Sequence, residues 1–578
     1  MVVARRLMTY IDRHIGLTVL AVLTTIAANT AALYIPYFSG RAIDAIGEAG
    51  QVQFEKVIVL CGWMIACIVF NSVLAYVTQR LLIRISSRIT AEMRKEVFEH
   101  LLEMPVQFFD THPVGDIISR ISYDIDTINA SLSSDIVTIA TSVITVVGSF
   151  IMMLRISLIL SLIFVITTPL IFFITRHRAK VVRPLFSKRS HKLGELNGFV
   201  EEMLSGHKTI KAYGQEETIV GRFDEKNLEA VDSYYEADYQ GSIVGPTVNF
   251  INNLSLAMIS GLGGALYLMK QISIGNISSF ILYSRRFSGP ISGAAEVLAE
   301  IQSAFSAARR VFALLDEPAE KKDDEDAIVL DQVEGRVAFE NVRFSYVPEK
   351  EIIHGLDLHA EPGRMIAIVG PTGAGKTTII NMLMRFYDPD SGVIRVDGHD
   401  ILHCTRDSLR KQFSMVLQDT WLFHGTIMDN IRYGCPEATD EQVLEAARAA
   451  QVDQFVHSLP DGYQMMINEE SNNLSQGQKQ LITIARAILS DPKILILDEA
   501  TSSVDTMTEI LIQRAMDHLM EGRTSFVIAH RLSTVRNADR IFVLQDGNIV
   551  EQGSHDELME KKGFYESLYN SQFVEASV

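Results

Sequence analysis

Read for hydrophobic and polar positions, the 578-residue chain changes character once, near residue 316. Before that point lie long apolar runs. The first, Ile15 to Phe38, predicts a helix of about 36 Å, enough to cross a hydrocarbon core of about 30 Å with some tilt. Five similar runs follow, near Val57 to Val77, Asp135 to Leu154, Ile156 to Thr175, Val244 to Leu268 and Ile277 to Ala299, the last being the most polar. Six spans return the chain to the side on which it began. Spans three and four are joined by little more than Arg155. By contrast, about 60 residues separate spans two and three, and about as many spans four and five, so the helices must extend far beyond the bilayer on one side.

Those long connections carry Arg80, Arg84, Arg88, Arg94 and Lys95, then Arg176, Arg178, Lys180, Arg183, Lys188 and Arg189. The opposite side offers little beyond Arg41, Arg155 and Lys270. The positive-inside rule therefore puts the long connections and both termini in the cytoplasm of a multi-pass membrane protein. Arg5, Arg6 and Arg13 precede the first run, but no small-residue cleavage site follows a short apolar core, so the first span reads as retained. With no organelle transit segment ahead of it, the expected location is a bacterial cytoplasmic (inner) membrane.

After the sixth span the helical pattern continues through Ala307, Ala308, Arg309 and Arg310, then gives way to the acidic stretch Asp316 to Asp331, which reads as a solvated linker. From Glu334 short β-branched or apolar runs alternate with helical patterns, for example Met365 to Val369, Phe413 to Leu417, Ile494 to Leu497, Ser525 to Ile528 and Arg540 to Leu544. The expectation is a six-span α-helical transmembrane domain over 1–315, a linker over 316–333 and an α/β domain with a buried sheet over 334–578.

Composition narrows the classes. Hydrophobic residues make up 48% and charged residues 21%, too apolar for disorder. The net charge of −18, from 52 basic and 70 acidic residues, argues against a nucleic-acid binder that depends on a basic surface. Cys61, Cys67, Cys404 and Cys435 stand at spacings of neither a zinc ribbon nor a disulfide framework and read as reduced thiols.

The strongest chemical signal is Gly370-Pro371-Thr372-Gly373-Ala374-Gly375-Lys376-Thr377, with Thr378 following, between the strand Met365 to Val369 and a helix containing Ile379, Ile380 and Leu383. A strand, a glycine-rich turn and a helix start make a phosphate cradle. Backbone N–H groups wrap the β- and γ-phosphates, Lys376 neutralises charge and the Thr377 hydroxyl is a Mg²⁺ ligand. A second strand ends in Asp498-Glu499. Asp498 is placed for the Mg²⁺ shell and Glu499 for polarising the attacking water.

Leu474-Ser475-Gln476-Gly477-Gln478 then opens another helix. Together with the two preceding signals it resembles the signature of ATP-binding-cassette proteins, and the whole chain resembles an exporter-type half-transporter. The resemblance implies roles for further residues. Tyr346 matches the aromatic that stacks on adenine, and Gln418 the glutamine contacting Mg²⁺ and the transmembrane domain. Asp505, in Ser503-Val504-Asp505, matches the loop facing the partner nucleotide domain, and His530 the switch histidine at the γ-phosphate. It also implies a second half-transporter, because ATP is sandwiched between the phosphate loop of one domain and the signature of another. Phe108-Phe109-Asp110, followed by Pro113-Val114-Gly115, resembles the family's docking tip, with Pro113 and Gly115 breaking the helix. The corresponding tip of the next connection falls near Tyr213 to Thr218.

The sequence departs from the family pattern at Gln476, where glycine is usual, and at Asn468 and Ser471 around the acidic Glu469. A side chain at Gln476 crowds the close backbone approach to phosphate. The variant resembles the catalytic-glutamate-bearing chain of heterodimeric bacterial multidrug exporters with one weakened ATP site, and a heterodimer is favoured over a homodimer on that basis. Arg285 and Arg286 in the sixth span, with Asn249, Asn252 and Asn253 in the fifth, are candidate contacts for a substrate in a central cavity or for a neighbouring helix. The expected function is ATP-driven export of a small amphipathic substrate, whether drug, lipid or peptide, in contact with membrane lipid. An exporter-fold importer of metal chelates and a nucleotide-gated channel are the alternatives.

Overall fold

The computed structural model describes residues 2–47, 52–417, 420–468, 473–498, 506–528 and 532–571. They form two compact units, Met1–Leu102 with Val114–Glu317, and Glu103–Pro113 with Pro318–Val578.

The first unit is helical. A short amphipathic helix, α1 (Val2–Asp12), precedes α2 (Ile15–Ile46), and α3 (Phe54–Leu102) follows. The chain then makes α4 (Val106–Thr111), α5 (Val114–Ser119), α6 (Ile125–Ile156) and α7 (Leu158–Ser205). It closes with α8 (His207–Tyr213), α9 (Glu216–Ser242), α10 (Val244–Leu268) and α11 (Ile274–Leu315). Among the described residues, five stretches combine the length and apolar composition needed to cross a membrane: 15–46, 54–102, 114–156, 158–205 and 216–268. The sixth expected span, on α11, has the length at 42 residues, but its serines and Arg285 and Arg286 dilute the apolar stretch. The joint between spans three and four falls at Ser157, whose hydroxyl caps α7 by accepting from Leu160 N. Gly115 does not break a helix as expected: it lies inside α5, while the break falls at His112 and Pro113.

Pro36 sits inside α2. A proline supplies no N–H to the carbonyl four residues back and crowds it, so the Ala32 carbonyl loses its helical partner. The most polar helix answers. Arg286 Nη1 donates to Ala32 O (2.7 Å), Tyr283 Oη to Leu33 O (2.6 Å) and Ser279 Oγ to Pro36 O (2.8 Å). One turn further out the two helices touch backbone to backbone. A Cβ on Gly275 would lie 2.0 Å from Gly40 O, so only glycine fits there. Asp44 then accepts from Ser273 Oγ and Gly275 N at the start of α11.

In the second unit a six-stranded sheet runs in the order β12-β11-β3-β10-β9-β6. It comprises β3 (Met365–Val369), β6 (Phe413–Val416), β9 (Ile494–Asp498), β10 (Thr524–Ile528), β11 (Arg540–Gln545) and β12 (Asn548–Gly553). The first five are parallel and β12 is an antiparallel edge. Every residue of β10 is buried, as a strand covered on both faces requires. A second, antiparallel sheet in the order β2-β1-β4-β5 is formed by β1 (Val337–Val347), β2 (Lys350–Ala360), β4 (Ser391–Val396) and β5 (His399–Asp400). A two-stranded ribbon pairs β7 (Gly425–Thr426) with β8 (Met466–Ile467).

Most of the acidic stretch is exposed, but part of it is anchored. Arg410 holds Glu320 through two bonds (2.6 and 3.1 Å), and Arg406 holds Asp323 through Nη1 (2.7 Å) and its backbone N (2.9 Å). Ile328 bridges to Cys404, and Leu330 and Val333 are buried in the core of this unit. Two of the carboxylates, Glu320 and Asp323, thus meet arginines that arrive about 80 to 90 residues later in the chain, a pairing that charge composition alone reads as solvation.

Candidate functional site

β3 delivers the loop Gly370–Gly375 to the carboxyl edge of the large sheet, between β10 on one flank and β11 on the other. An open α/β sheet forms its ligand crevice at such an edge. Glycine is required there by contact and by conformation. A Cβ on Gly370 would stand 2.3 Å from Leu544 O, and one on Gly375, at φ +103°, 2.8 Å from Ile353 Cδ1. Lys376 opens the helix α12 (Lys376–Leu383) and folds back, its Nζ donating to Gly370 O (2.7 Å) and Pro371 O (3.0 Å). Burial lowers the Lys376 pKa from the ordinary lysine value, while the charge of Asp498 opposes that shift. An entering phosphate chain supplies the negative charge that this half-buried ammonium lacks.

Asp498 ends β9 opposite Ile528 of β10, and Ile528 in turn pairs with Ile368 of β3. That register brings the carboxylate to the same edge as the loop. The exposed Thr377 hydroxyl and Asp498 are hard oxygen donors of the kind Mg²⁺ takes beside phosphate oxygens, so the residues present fit the expected ion. Gln418, Glu499, Asp505 and His530 lie outside the described residues.

Tyr346, near the end of β1, is 37% exposed, which leaves a face for a base. Its hydroxyl donates to Thr378 Oγ1 (3.3 Å) and accepts from Asn381 Nδ2 (3.2 Å), fixing the ring to α12. Tyr387, which the sequence reading did not single out, meets Tyr346 edge-on at 4.9 Å and donates to Asp110 Oδ2 on α4. The short segment 103–113 thus belongs to this unit through the buried Phe108 and through Asp110.

The helix Gln476–Ser490 begins at the N-cap Ser475 with a reciprocal cap: Ser475 Oγ accepts from Gln478 N, and Gln478 Oε1 accepts from Ser475 N. Gln478 is therefore committed to the helix start. The N–H groups of Gln476 and Gly477, in the first turn, have no acceptor within the helix, which is what an anion site at this end uses. Gln476 is exposed and its amide reaches Thr420 Oγ1 (3.4 Å). Arg486 on the same helix was also missed. It donates to Asn430 O and Trp421 O, and burial lowers its pKa. Its signal in the sequence is a single cation within the mostly apolar run 481–489.

Of the transmembrane candidates, Arg286 is engaged by Ala32 O as described. Arg285 is exposed, as are Asn249 and Asn253, and Asn252 is half-buried; none of these four has an interhelical hydrogen bond among the described residues.

Residues 18–291 match the family described as ABC transporter transmembrane region, and residues 353–502 the family described as ABC transporter. An uncharacterized ABC transporter ATP-binding protein, YfiC of Bacillus subtilis strain 168, is 41% identical over 571 residues, 98% of this chain and 94% of that protein. A fatty acid ABC transporter ATP-binding/permease protein of Mycobacterium bovis is 47% identical over 473 residues, 82% of this chain and 75% of the other. A solved bacterial Atm1-family ABC exporter with ATP bound superposes with a TM-score of 0.79 at 29% identity, covering 96% of this chain and 99% of that one.

Proposed function

Because this chain belongs to the ABC transporter family, as an exporter half-transporter and transport ATPase, we propose that it exports a lipid-like, anionic-headed amphiphile across a bacterial inner membrane. The convergence of Lys376 and Asp498 on one sheet edge carries the ATPase part of the reading. The substrate class rests on the relative named for fatty acid and on the long apolar helices.

In this reading ATP binds with its adenine against Tyr346 and its phosphates over Gly370–Thr378, and the N–H groups opening at Gln476 and Gly477 meet the γ-phosphate bound to a second chain. Thr377, Gln418 and Asp498 would hold a Mg²⁺ ion, which would supply neutralisation of phosphate charge when bound. Glu499 orients the attacking water, His530 contacts the γ-phosphate and Asp505 faces the other nucleotide domain. ATP holds two domains together while it is bound, and its loss releases them. The termini and long connections are cytoplasmic. We take the second chain to be a different half-transporter, since Gln476 brings a side chain to a position that favours none.

The test is the mass and Mg²⁺-ATPase activity of the chain purified alone, with Glu499→Gln as the blank. An inactive chain rescued by a co-expressed second half-transporter supports the heterodimer. A stable dimer with Glu499-dependent turnover replaces it with a homodimer.

A further inference from the structure

We propose that the outward end of the helical unit carries a binding site for a single-chain amphiphile with an anionic head, and that Arg41 and Arg155 are its head-group ligands. The inference rests on the orientation and substrate class proposed above, and adds a place on the chain. A cavity of about 1180 Å³ opens where α2 and α6 end and α3 and α11 begin, on the side of the short connections. One wall is apolar, built from Tyr37, Phe38, Leu60 and Met152.

The rim is cationic. Among the described residues, Arg41, Lys56 and Arg155 line it together with two carboxylates, Asp44 and Glu55. Asp44 is spoken for: both of its oxygens accept hydrogen bonds at the start of α11, from Ser273 and from Gly275, where a helix dipole favours its charge. Glu55 and Lys56 are chain neighbours of opposite sign. That leaves Arg41, whose guanidinium lies 5.4 Å above the Tyr37 ring, and Arg155, neither with an ion pair among the described residues. Two guanidiniums above an apolar wall suit a head with several anionic oxygens and a chain lying below it. A free anion makes no use of the wall, and a cation meets a rim of its own sign.

The chain has two tryptophans, and one of them, Trp63, stacks on Phe38 of this wall at 6.4 Å. In a Trp421→Phe background Trp63, beside Phe38 of the wall, is the sole tryptophan, and comparing two probes that share one brominated chain separates head-group binding from general quenching in the bilayer. The full chain in nanodiscs is titrated with a lysophosphatidylglycerol brominated on its acyl chain, and with a monoacylglycerol carrying the same brominated chain. The expected result is saturable quenching by the anionic probe at concentrations lower by about tenfold than by the neutral one. Arg41→Ala with Arg155→Ala removes that advantage, while Arg41→Lys with Arg155→Lys retains most of it and shows that the fold survives substitution. Equal quenching by the two probes, an advantage that persists in the alanine variant, or complete displacement by inorganic phosphate alone overturns the proposal. No ATP is added, so a chain that binds the probe in this way and never transports it sinks the export reading and leaves the site standing.

Discussion

Tyr387 Oη donates a 2.6 Å hydrogen bond to Asp110 Oδ2, while the same ring meets the edge of Tyr346 at 4.9 Å. One side chain therefore joins the aromatic expected against adenine to the short helix α4, whose sequence resembles a docking tip. Burial and then Asp110 push the Tyr387 pKa above the ordinary tyrosine value, so the hydroxyl stays a donor through neutral and mildly alkaline pH. Tyr387→Phe should leave ATP affinity within about twofold and reduce the stimulation of ATPase by amphiphile several-fold, because it removes the link and not the ring. Nucleotide binding and stimulated turnover, measured side by side, check this. Intact stimulation would show that the bond transmits nothing.

The contact of Arg286 with Ala32 gives a second expectation. Arg286→Ala should destabilise the protein by about 1 to 3 kcal/mol, the usual cost of leaving a buried acceptor unpaired. Pro36→Ala restores an N–H able to bond that carbonyl, so Arg286→Ala should cost less in the Pro36→Ala background than alone. Thermal unfolding of the four proteins in detergent reads the difference, and strict additivity would refute the explanation.

The linker offers a proteolytic test. With Glu320 and Asp323 held by Arg410 and Arg406, residues 318–333 should resist limited proteolysis in the native protein. Arg406→Ala with Arg410→Ala should make this stretch the first site cut, with the rest of the pattern unchanged. Cleavage of the native chain there at the same rate would favour a solvated linker.

Gln476 bears on the proposed asymmetry of the two ATP sites. If its side chain weakens the site it completes, Gln476→Gly should raise turnover of the assembled transporter by about two- to tenfold, since only the obstructing side chain is removed. Replacing Thr420 by alanine removes the partner of its amide and should have a smaller effect. Unchanged turnover in Gln476→Gly would make glutamine a tolerated variant.

The parts legible in the sequence were those fixed by local pattern. The phosphate loop announces itself because Gly370 and Gly375 meet backbone constraints that no other residue satisfies, and the central strands are recognisable as short, fully apolar runs. The antiparallel sheet passed unnoticed because β1 and β2 alternate exposed and buried positions irregularly, with register shifts between Phe339 and Val347. The anchoring of Glu320 and Asp323 is not legible because their arginine partners arrive far along the chain. Arg286 was flagged as costly in lipid, but the reason it is tolerated is a proline on another helix, and periodicity carries no information about that pairing.

The most direct test is ATP-dependent flux. The assembled transporter is reconstituted in sealed vesicles with the nucleotide domains outside, and a fluorescent lysophosphatidylglycerol is followed from the outer to the inner leaflet. The account predicts Mg²⁺-ATP-driven accumulation in the inner leaflet that Glu499→Gln abolishes. Movement that runs only down the gradient, or that continues unchanged in the Glu499→Gln protein, would contradict it.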